Sequence, residues 1–118
     1  MSAHRLERLA EVFKAELSQL LQREIKDPRI GFASITKVIV SKDISHAKVF
    51  VSILGDQDQQ KDTMKGLESA KGYLRSELGK RIRLRHTPDL HFIEDSSLEE
   101  GARILSLINE IQQTKKEN

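Results

Sequence analysis

Hydrophobic residues recur at intervals of three and four positions over the first quarter of the chain, which predicts an amphipathic helix of about twenty residues. Charged side chains fill the intervening positions, so the apolar residues form one stripe. Asp27-Pro28 predicts the end of this helix, because proline lacks a backbone donor and disfavours the helical conformation at the preceding residue. The stripe consists of Leu6, Leu9, Ala10, Phe13, Leu17, Leu20, Leu21 and Ile25.

The segments that follow have the composition of β-strands. Residues 32–40 are rich in β-branched side chains, and in residues 47–53 small and β-branched apolar side chains occupy every second position. The polar connector at residues 42–46 joins the two segments into a predicted hairpin. Pro88 introduces a third short strand, LHFIED (residues 90–95).

A second helical pattern lies between the hairpin and the third strand, with Asp56 and Asp58 as candidate N-caps. Gly72 falls inside it and costs about 1 kcal/mol relative to alanine. Together with the small Ala70, it predicts a kink between two helices at Ala70-Lys71-Gly72. Gly72 either permits close packing on the sheet or lets a ligand approach the backbone, and the sequence leaves both open. The apolar stripe is Met64, Leu67, Ala70, Leu74 and Leu78.

The strongest local charge signal lies in residues 71–85, which contain six basic residues and a single acidic residue, Glu77. The net charge is only +2, so the placement of charge matters more than its sum. From residue 80 onward, arginines alternate with aliphatic residues, and an extended chain would place three arginines on one side. Such clustering predicts contact with phosphates, although a solvated helix face is the alternative. The six residues are Lys71, Arg75, Lys80, Arg81, Arg83 and Arg85.

Ser96 or Ser97 is placed to cap a last helix, after which residues 113–118 are expected to fray. The 118 residues, of which 37% are hydrophobic, suit one domain. The predicted order is α-β-β-α-kink-α-β-α, an α+β fold in which helices cover one face of a three-stranded sheet. The last stripe is Leu98, Ala102, Leu105, Ile108 and either Ile111 or Gln112.

The sequence lacks the residues and motifs that a catalytic site would need. Cysteine is absent, phosphate-binding and dinucleotide-binding glycine motifs are missing, and acidic pairs such as Glu99-Glu100 suit a helix N-terminus. The histidines are scattered, and each is interpreted as a lone exposed side chain. We therefore expect no enzyme, metal or cofactor, and no membrane association, because no long uncharged apolar segment exists. The four histidines are His4, His46, His86 and His91.

Three stretches resemble the ribosome-binding factor A family, whose members are bacterial small-subunit maturation factors. They are LLQREIKDPRIGF (residues 20–32), SKDISHAKVFVSILGD (41–56) and AKGYLRSELGKRIRLRHTPDLHFIEDSSLEEGARI (70–104). Their order and spacing match over nearly the whole chain. The resemblance implies a type-II KH-like fold in which the kink Ala70-Lys71-Gly72 replaces the usual G-x-x-G loop.

The resemblance also implies a function. Family members bind the immature small (30S) ribosomal subunit in the cytoplasm, contact 16S ribosomal RNA, support late processing of its 5′ end and matter most in the cold. A GTPase of the same pathway is associated with their release, and we expect a monomer. The six basic residues would then neutralise phosphates, with Lys71 at the kink. Arg29 and Lys42 are weaker candidates, for which a role in solubility is the preferred interpretation.

Two alternatives from other classes remain. A helix-turn-helix DNA-binding protein would need a regular exposed recognition helix after Gly72. A protein-interaction adaptor would bind a partner through its leucine-rich helices, without RNA and without sensitivity to salt.

Overall fold

The computed structural model describes residues 3–30 and 33–95. In chain order the elements are α1 (Ala3–Arg23), β1 (Ala33–Val40), β2 (His46–Ile53), α2 (Gln57–Arg81) and β3 (Asp89–Glu94). The strands form one sheet in the order β1-β2-β3, in which β2 pairs antiparallel with β1 and parallel with β3. The predicted α+β class and the hairpin are confirmed. The predicted C-terminal helix and residues 113–118 lie outside the described residues.

The core lies between the two helices and one face of the sheet. The predicted stripe of α1 is buried or packed against the core along its whole length, and alternate residues of the strands meet it from the sheet. Complete burial of one large aliphatic or aromatic side chain contributes about 1.5–3 kcal/mol, so these side chains fix where both helices sit. The fully buried large side chains of the helices are Phe13, Leu17, Leu20, Leu67, Leu74 and Leu78.

Asp43 organises the turn between β1 and β2. Its Oδ1 accepts hydrogen bonds from Ser41 Oγ at 2.8 Å, Ser45 N at 3.1 Å and Ser45 Oγ at 2.7 Å. These bonds favour the charged carboxylate, and they lower the pKa of Asp43 from 3.8 to about 2, with the Ser45 hydroxyl as the largest cause. Ile44 has a φ of 59°, which is uncommon for a β-branched residue, and its side chain packs against the core.

Asp56, one of the two predicted caps, begins α2. Its carboxylate accepts from Gln59 N at 2.8 Å, and Gln59 Oε1 accepts from Asp56 N at 2.8 Å. This reciprocal capping box satisfies backbone donors that the first helical turn leaves without partners. Gly55 directly before it has a φ of 135°, a conformation that favours glycine.

The helix α2 continues without interruption through Gly72, so the predicted division into two helices at Ala70-Lys71-Gly72 is wrong. One glycine costs a helix only about 1 kcal/mol. Buried leucines on both sides of Gly72 hold the helix against the sheet, and their burial outweighs that cost. These leucines are Leu67, Leu74 and Leu78.

The strand-like alternation after residue 80 does not form an extended segment. Lys80 and Arg81 belong to the last turn of α2, and residues 82–88 form turns and coil. The alternation nevertheless sorts the side chains of this connection, because Ile82 and Leu84 pack against the core while Arg83 and Arg85 are exposed. The extended segment that was predicted to place three arginines on one side is therefore absent.

Candidate nucleic-acid interface

The six basic residues predicted to contact RNA lie along the C-terminal half of α2 and in the connection that follows it. The structure divides them into two groups. Lys71, Arg75, Lys80 and Arg81 interact with neighbouring residues of the chain. Arg83 and Arg85 form no such contact with any residue that the structure describes.

Arg81 joins α2 to α1. Its Nη1 lies 3.1 Å from Glu16 Oε2 and its Nη2 lies 2.7 Å from Glu24 Oε1. The hydrogen bond to Glu16, followed by the charges of both acids, raises the pKa of the guanidinium above its usual value. Tyr73 OH donates to the other oxygen of Glu24 at 2.7 Å. Arg81 is thus occupied by a structural cluster, and its predicted role in binding phosphate is weakened.

Arg75 fixes the connection between α2 and β3. Its Nη2 and Nε donate to the carbonyl oxygen of Thr87 at 2.9 and 3.2 Å, and its Nε lies 3.5 Å from Asp89 Oδ1. Lys71 and Lys80 form ion pairs one helical turn away, at 2.7 Å to Glu68 and 3.3 Å to Glu77. Exposed pairs of this kind contribute little to stability, so a phosphate can replace either acid as the partner of the lysine.

Residues 82–88, here called the basic loop, present Arg83 and Arg85 to solvent. The loop is anchored at its C-terminal end. Thr87 packs against Gly79 of α2, where a Cβ on the glycine would collide with the threonine hydroxyl, and the neighbouring Pro88 is buried. A supported loop with two exposed guanidinium groups is suited to phosphate, because each guanidinium offers a fork of donors that matches two phosphate oxygens.

Gly72 lies on the exposed side of α2. A Cβ built on it would meet no described atom within 4 Å, so close packing on the sheet does not explain the glycine. Close packing occurs instead at Gly79 and at Gly66, where an added Cβ would lie 2.8 Å from Ile30 Cγ1. The sequence left two interpretations of Gly72 open, close packing on the sheet and access of a ligand to the backbone, and the second is the one that these distances leave in place.

The two weaker candidates differ in their surroundings. Arg29 is held by Asp27, with Nη2 2.7 Å from Oδ2 and Nε 3.1 Å from Oδ1. The side-chain hydrogen bond with Arg29 is the largest cause of the lowered pKa of Asp27. Lys42 is exposed in the hairpin turn. The bonds of Arg29 support the preferred interpretation, in which it does not contact RNA.

One contact was not expected from the sequence. Nδ1 of His46 lies 2.9 Å from Nε2 of His91, and their ring centroids are 5.1 Å apart, so the interpretation of both as lone histidines is wrong. The parallel pairing of β2 with β3 brings them together. Each histidine alternates with buried neighbours, which is the one sequence signal that could have placed both on the same face of a sheet.

Other kinds of site receive no support from the described residues. A cleft between α1 and β1 is lined by Glu7, Glu11 and Lys37, and its two acids outnumber the one base that could attract phosphate. Across residues 3–30 and 33–95, no three His, Asp or Glu side chains are grouped as metal ligands would be. None of the described helices combines the length and the apolar character needed to cross a bilayer.

Comparison with known proteins gives one consistent result. The sequence model of the family described as ribosome-binding factor A matches residues 5–108. Ribosome-binding factor A of Desulfitobacterium hafniense is 49% identical over 118 residues, which are 100% of this chain and 94% of that protein. The protein of the same name from Trichodesmium erythraeum is 54% identical over 117 residues, covering 98% of this chain and 85% of its own.

Solved structures agree with the sequences. The solution structure of a Thermotoga maritima protein, described as a putative ribosome binding factor A, superposes with a TM-score of 0.73 at 34% identity, covering 82% of this chain and 92% of its own. The crystal structure of ribosome-binding factor A from Thermus thermophilus gives a TM-score of 0.68 at 27% identity, and the match covers 75% of this chain and 94% of that one. A homology model of the Thermus thermophilus protein, fitted into a cryo-electron microscopy map of a complex with the 30S subunit, has a TM-score of 0.64 at 26% identity. The match covers 77% of this chain and 96% of that one.

The predicted KH-like fold class is confirmed by this likeness, with the correction that α2 is continuous. The match of the family model spans both described helices and all three strands. This chain belongs to the ribosome-binding factor A family.

Proposed function

We propose that the protein is a non-catalytic maturation factor that binds the immature small ribosomal subunit through 16S ribosomal RNA. It acts in the cytoplasm as a monomer and assists late processing of the 5′ end. Family membership supports binding to the ribosome, and the related Thermus thermophilus protein, described as part of a 30S complex, supports the small subunit as the partner.

The observation that carries the RNA contact is the pair of exposed guanidinium groups in the basic loop. Arg83 and Arg85 are not neutralised by any described acid, whereas Arg81, two residues earlier, has two acidic partners. Each phosphate that an arginine neutralises releases condensed counterions, which is a favourable and salt-dependent contribution to binding. Arg83 and Arg85 are therefore the principal phosphate contacts in this proposal, and Lys71 and Lys80 join them by exchanging their acidic partners.

No bond is made or broken in the proposed mechanism. A factor that binds an intermediate of the folding RNA more tightly than the mature form shifts the population toward that intermediate. Cold conditions increase the need for such a factor, because misfolded RNA pairings dissociate slowly there. The GTPase of the same pathway would end the interaction by favouring the mature form of the subunit.

A helix-turn-helix reader of DNA is a poorer account of the same residues. The regular helix that such a protein needs is present in α2, but Gly72 makes no turn and strands flank α2 on both sides. Two of its arginines, although exposed, form hydrogen bonds with Glu16, Glu24 and the carbonyl oxygen of Thr87. Within residues 3–30 and 33–95, no pair of helices is joined by a tight turn.

The test is co-sedimentation of the tagged protein with separated ribosomal particles. We expect the wild-type protein to travel with free small subunits and to be absent from joined ribosomes. Arg83→Gln combined with Arg85→Gln should reduce the bound fraction severalfold. The matched control is Lys61→Gln combined with Lys65→Gln, which removes two exposed charges from the first half of α2, and it should bind as the wild type does. Equal binding to joined ribosomes would contradict the proposed function.

A further inference from the structure

The face of the sheet that points away from the helices carries a distinct group of side chains. Here called the outer sheet face, it comprises Lys37, Ile39, His46, Lys48, Phe50, Asp89, His91 and Ile93. Strand pairing sets these residues in rows. Ile39, Lys48 and His91 lie side by side across the three strands, and Lys37 lies beside Phe50 in the next row.

This face has exposed positive charge at its centre. Lys37 and Lys48 are exposed, and neither forms an ion pair with a residue in the described ranges. Asp89, at the edge of the face, lies 3.5 Å from the guanidinium of Arg75, and so its charge is partly compensated. An anionic partner would therefore meet two lysines that form no ion pair within the described ranges, of which Lys37 also lines the cleft that holds Glu7 and Glu11.

The same face also offers rings. Phe50 is half-buried in the central strand, so part of its side chain reaches solvent, and the imidazoles of His46 and His91 form an exposed pair with centroids 5.1 Å apart. Ile39 beside Lys48 is 43% exposed. Aromatic and imidazole rings interleaved with lysines on an open sheet are the combination on which unpaired nucleotides stack while their phosphates are neutralised.

The outer sheet face begins where the basic loop ends. Asp89 follows the loop directly and pairs with His46 at the first position of β3 and β2, so the row that contains Lys48 lies two residues farther along both strands. One strand of RNA that contacts the basic loop would therefore pass Asp89, whose charge is partly compensated by Arg75, before it reaches Lys48 on this face.

We propose that the outer sheet face is a second RNA-contact surface, which binds an unpaired stretch of ribosomal RNA next to the segment held by the basic loop. This proposal rests on the proposed function, and it names an additional surface and the single-stranded character of its ligand. Lys37 and Lys48 bind phosphates, while Phe50 and the histidine pair stack on bases.

The first test uses a short oligouridine as the single-stranded probe and measures its affinity at several salt concentrations. Each phosphate contact to a single strand contributes about −0.7 to the slope of log affinity against log salt. Lys37→Gln with Lys48→Gln should therefore reduce the slope by about 1.4. Lys37→Arg with Lys48→Arg should keep it, and Lys61→Gln with Lys65→Gln should leave it unchanged. An unchanged slope in the first variant would overturn the proposal.

The second test places a photo-crosslinking amino acid at Ile39 and irradiates the complex with free small subunits. Cross-links to 16S ribosomal RNA support the proposal, whereas cross-links to a ribosomal protein, or none, overturn it. Failure of the proposed function has a different result, because the unsubstituted protein would then not co-sediment with small subunits at all. If it co-sediments and depends on Arg83 and Arg85 while Ile39 gives no RNA cross-link, only this inference fails.

Discussion

Gly72 is a residue whose importance depends on function and not on packing. A Cβ at this position would meet no described atom within 4 Å, and alanine is preferred to glycine in a helix by about 1 kcal/mol. We expect Gly72→Ala to stabilise the protein by up to about 1 kcal/mol in urea unfolding. Gly79→Ala is the control and should destabilise it, because the new methyl group would collide with Thr87.

Gly72→Ala also separates the effect of this residue on stability from its effect on RNA binding. If the exposed backbone at Gly72 meets RNA, Gly72→Ala will bind small subunits less well although it is more stable. A variant with increased stability and unchanged binding would remove Gly72 from the interface. A destabilised Gly72→Ala would contradict the exposed position of the glycine.

The hydrogen bonds of the Asp43 carboxylate make the stability of the protein depend on pH. Its pKa is about 2 in the folded protein against an ordinary 3.8, so the unfolded chain binds more protons between these values. The stabilisation by Asp43 is therefore complete above pH 4 and is lost as the pH falls through 2. We expect Asp43→Asn to be less stable than the wild type in urea at pH 6, and the difference to narrow between pH 4 and pH 2. A difference that stays constant over this range would contradict the role of the turn.

At the scale of elements, the contact between α1 and α2 depends on Arg81. Its two carboxylate partners are Glu16, in the second half of α1, and Glu24, the residue that follows the helix. We expect Arg81→Gln to lower the melting temperature while binding to small subunits is largely retained. Arg83→Gln should do the opposite, with an unchanged melting temperature and weaker binding. If Arg81→Gln melts as the wild type does, the cluster is not structural.

The sequence predicts those elements that depend on local periodicity. The stripe of α1, the alternation in β2 and the cap at Asp56 all arise from neighbouring residues, and all are present. The division of α2 into two helices at Gly72 was wrongly predicted because the local sequence shows only the helix-destabilising effect of the glycine. The leucines on either side stabilise the helix through contacts in the tertiary core, which the local sequence does not show. The acidic partners of Arg81 were not predicted for a similar reason, since Glu16 and Glu24 lie 65 and 57 positions away and nothing local reveals them.

For the whole molecule, the decisive property is where charge remains uncompensated. A net charge of +2 gives no strong overall field, and internal acids occupy several of the basic residues that the sequence singled out. Exposed charge remains on the basic loop and on the outer sheet face, which meet at the start of β3. The candidate site could be located from the run of basic residues, but the acidic partners and the sheet face depend on the fold.

The most direct test of this account is the salt dependence of binding to free small subunits. Each phosphate contact changes the slope of log affinity against log salt by about 0.7–0.9, so Arg83→Gln with Arg85→Gln should reduce the slope by about 1.4–1.8. Lys61→Gln with Lys65→Gln provides the matched loss of charge and should keep the wild-type slope. A wild-type affinity that does not change with salt, or an equal slope in the Arg83 and Arg85 variant, would contradict the binding of ribosomal RNA through the basic loop.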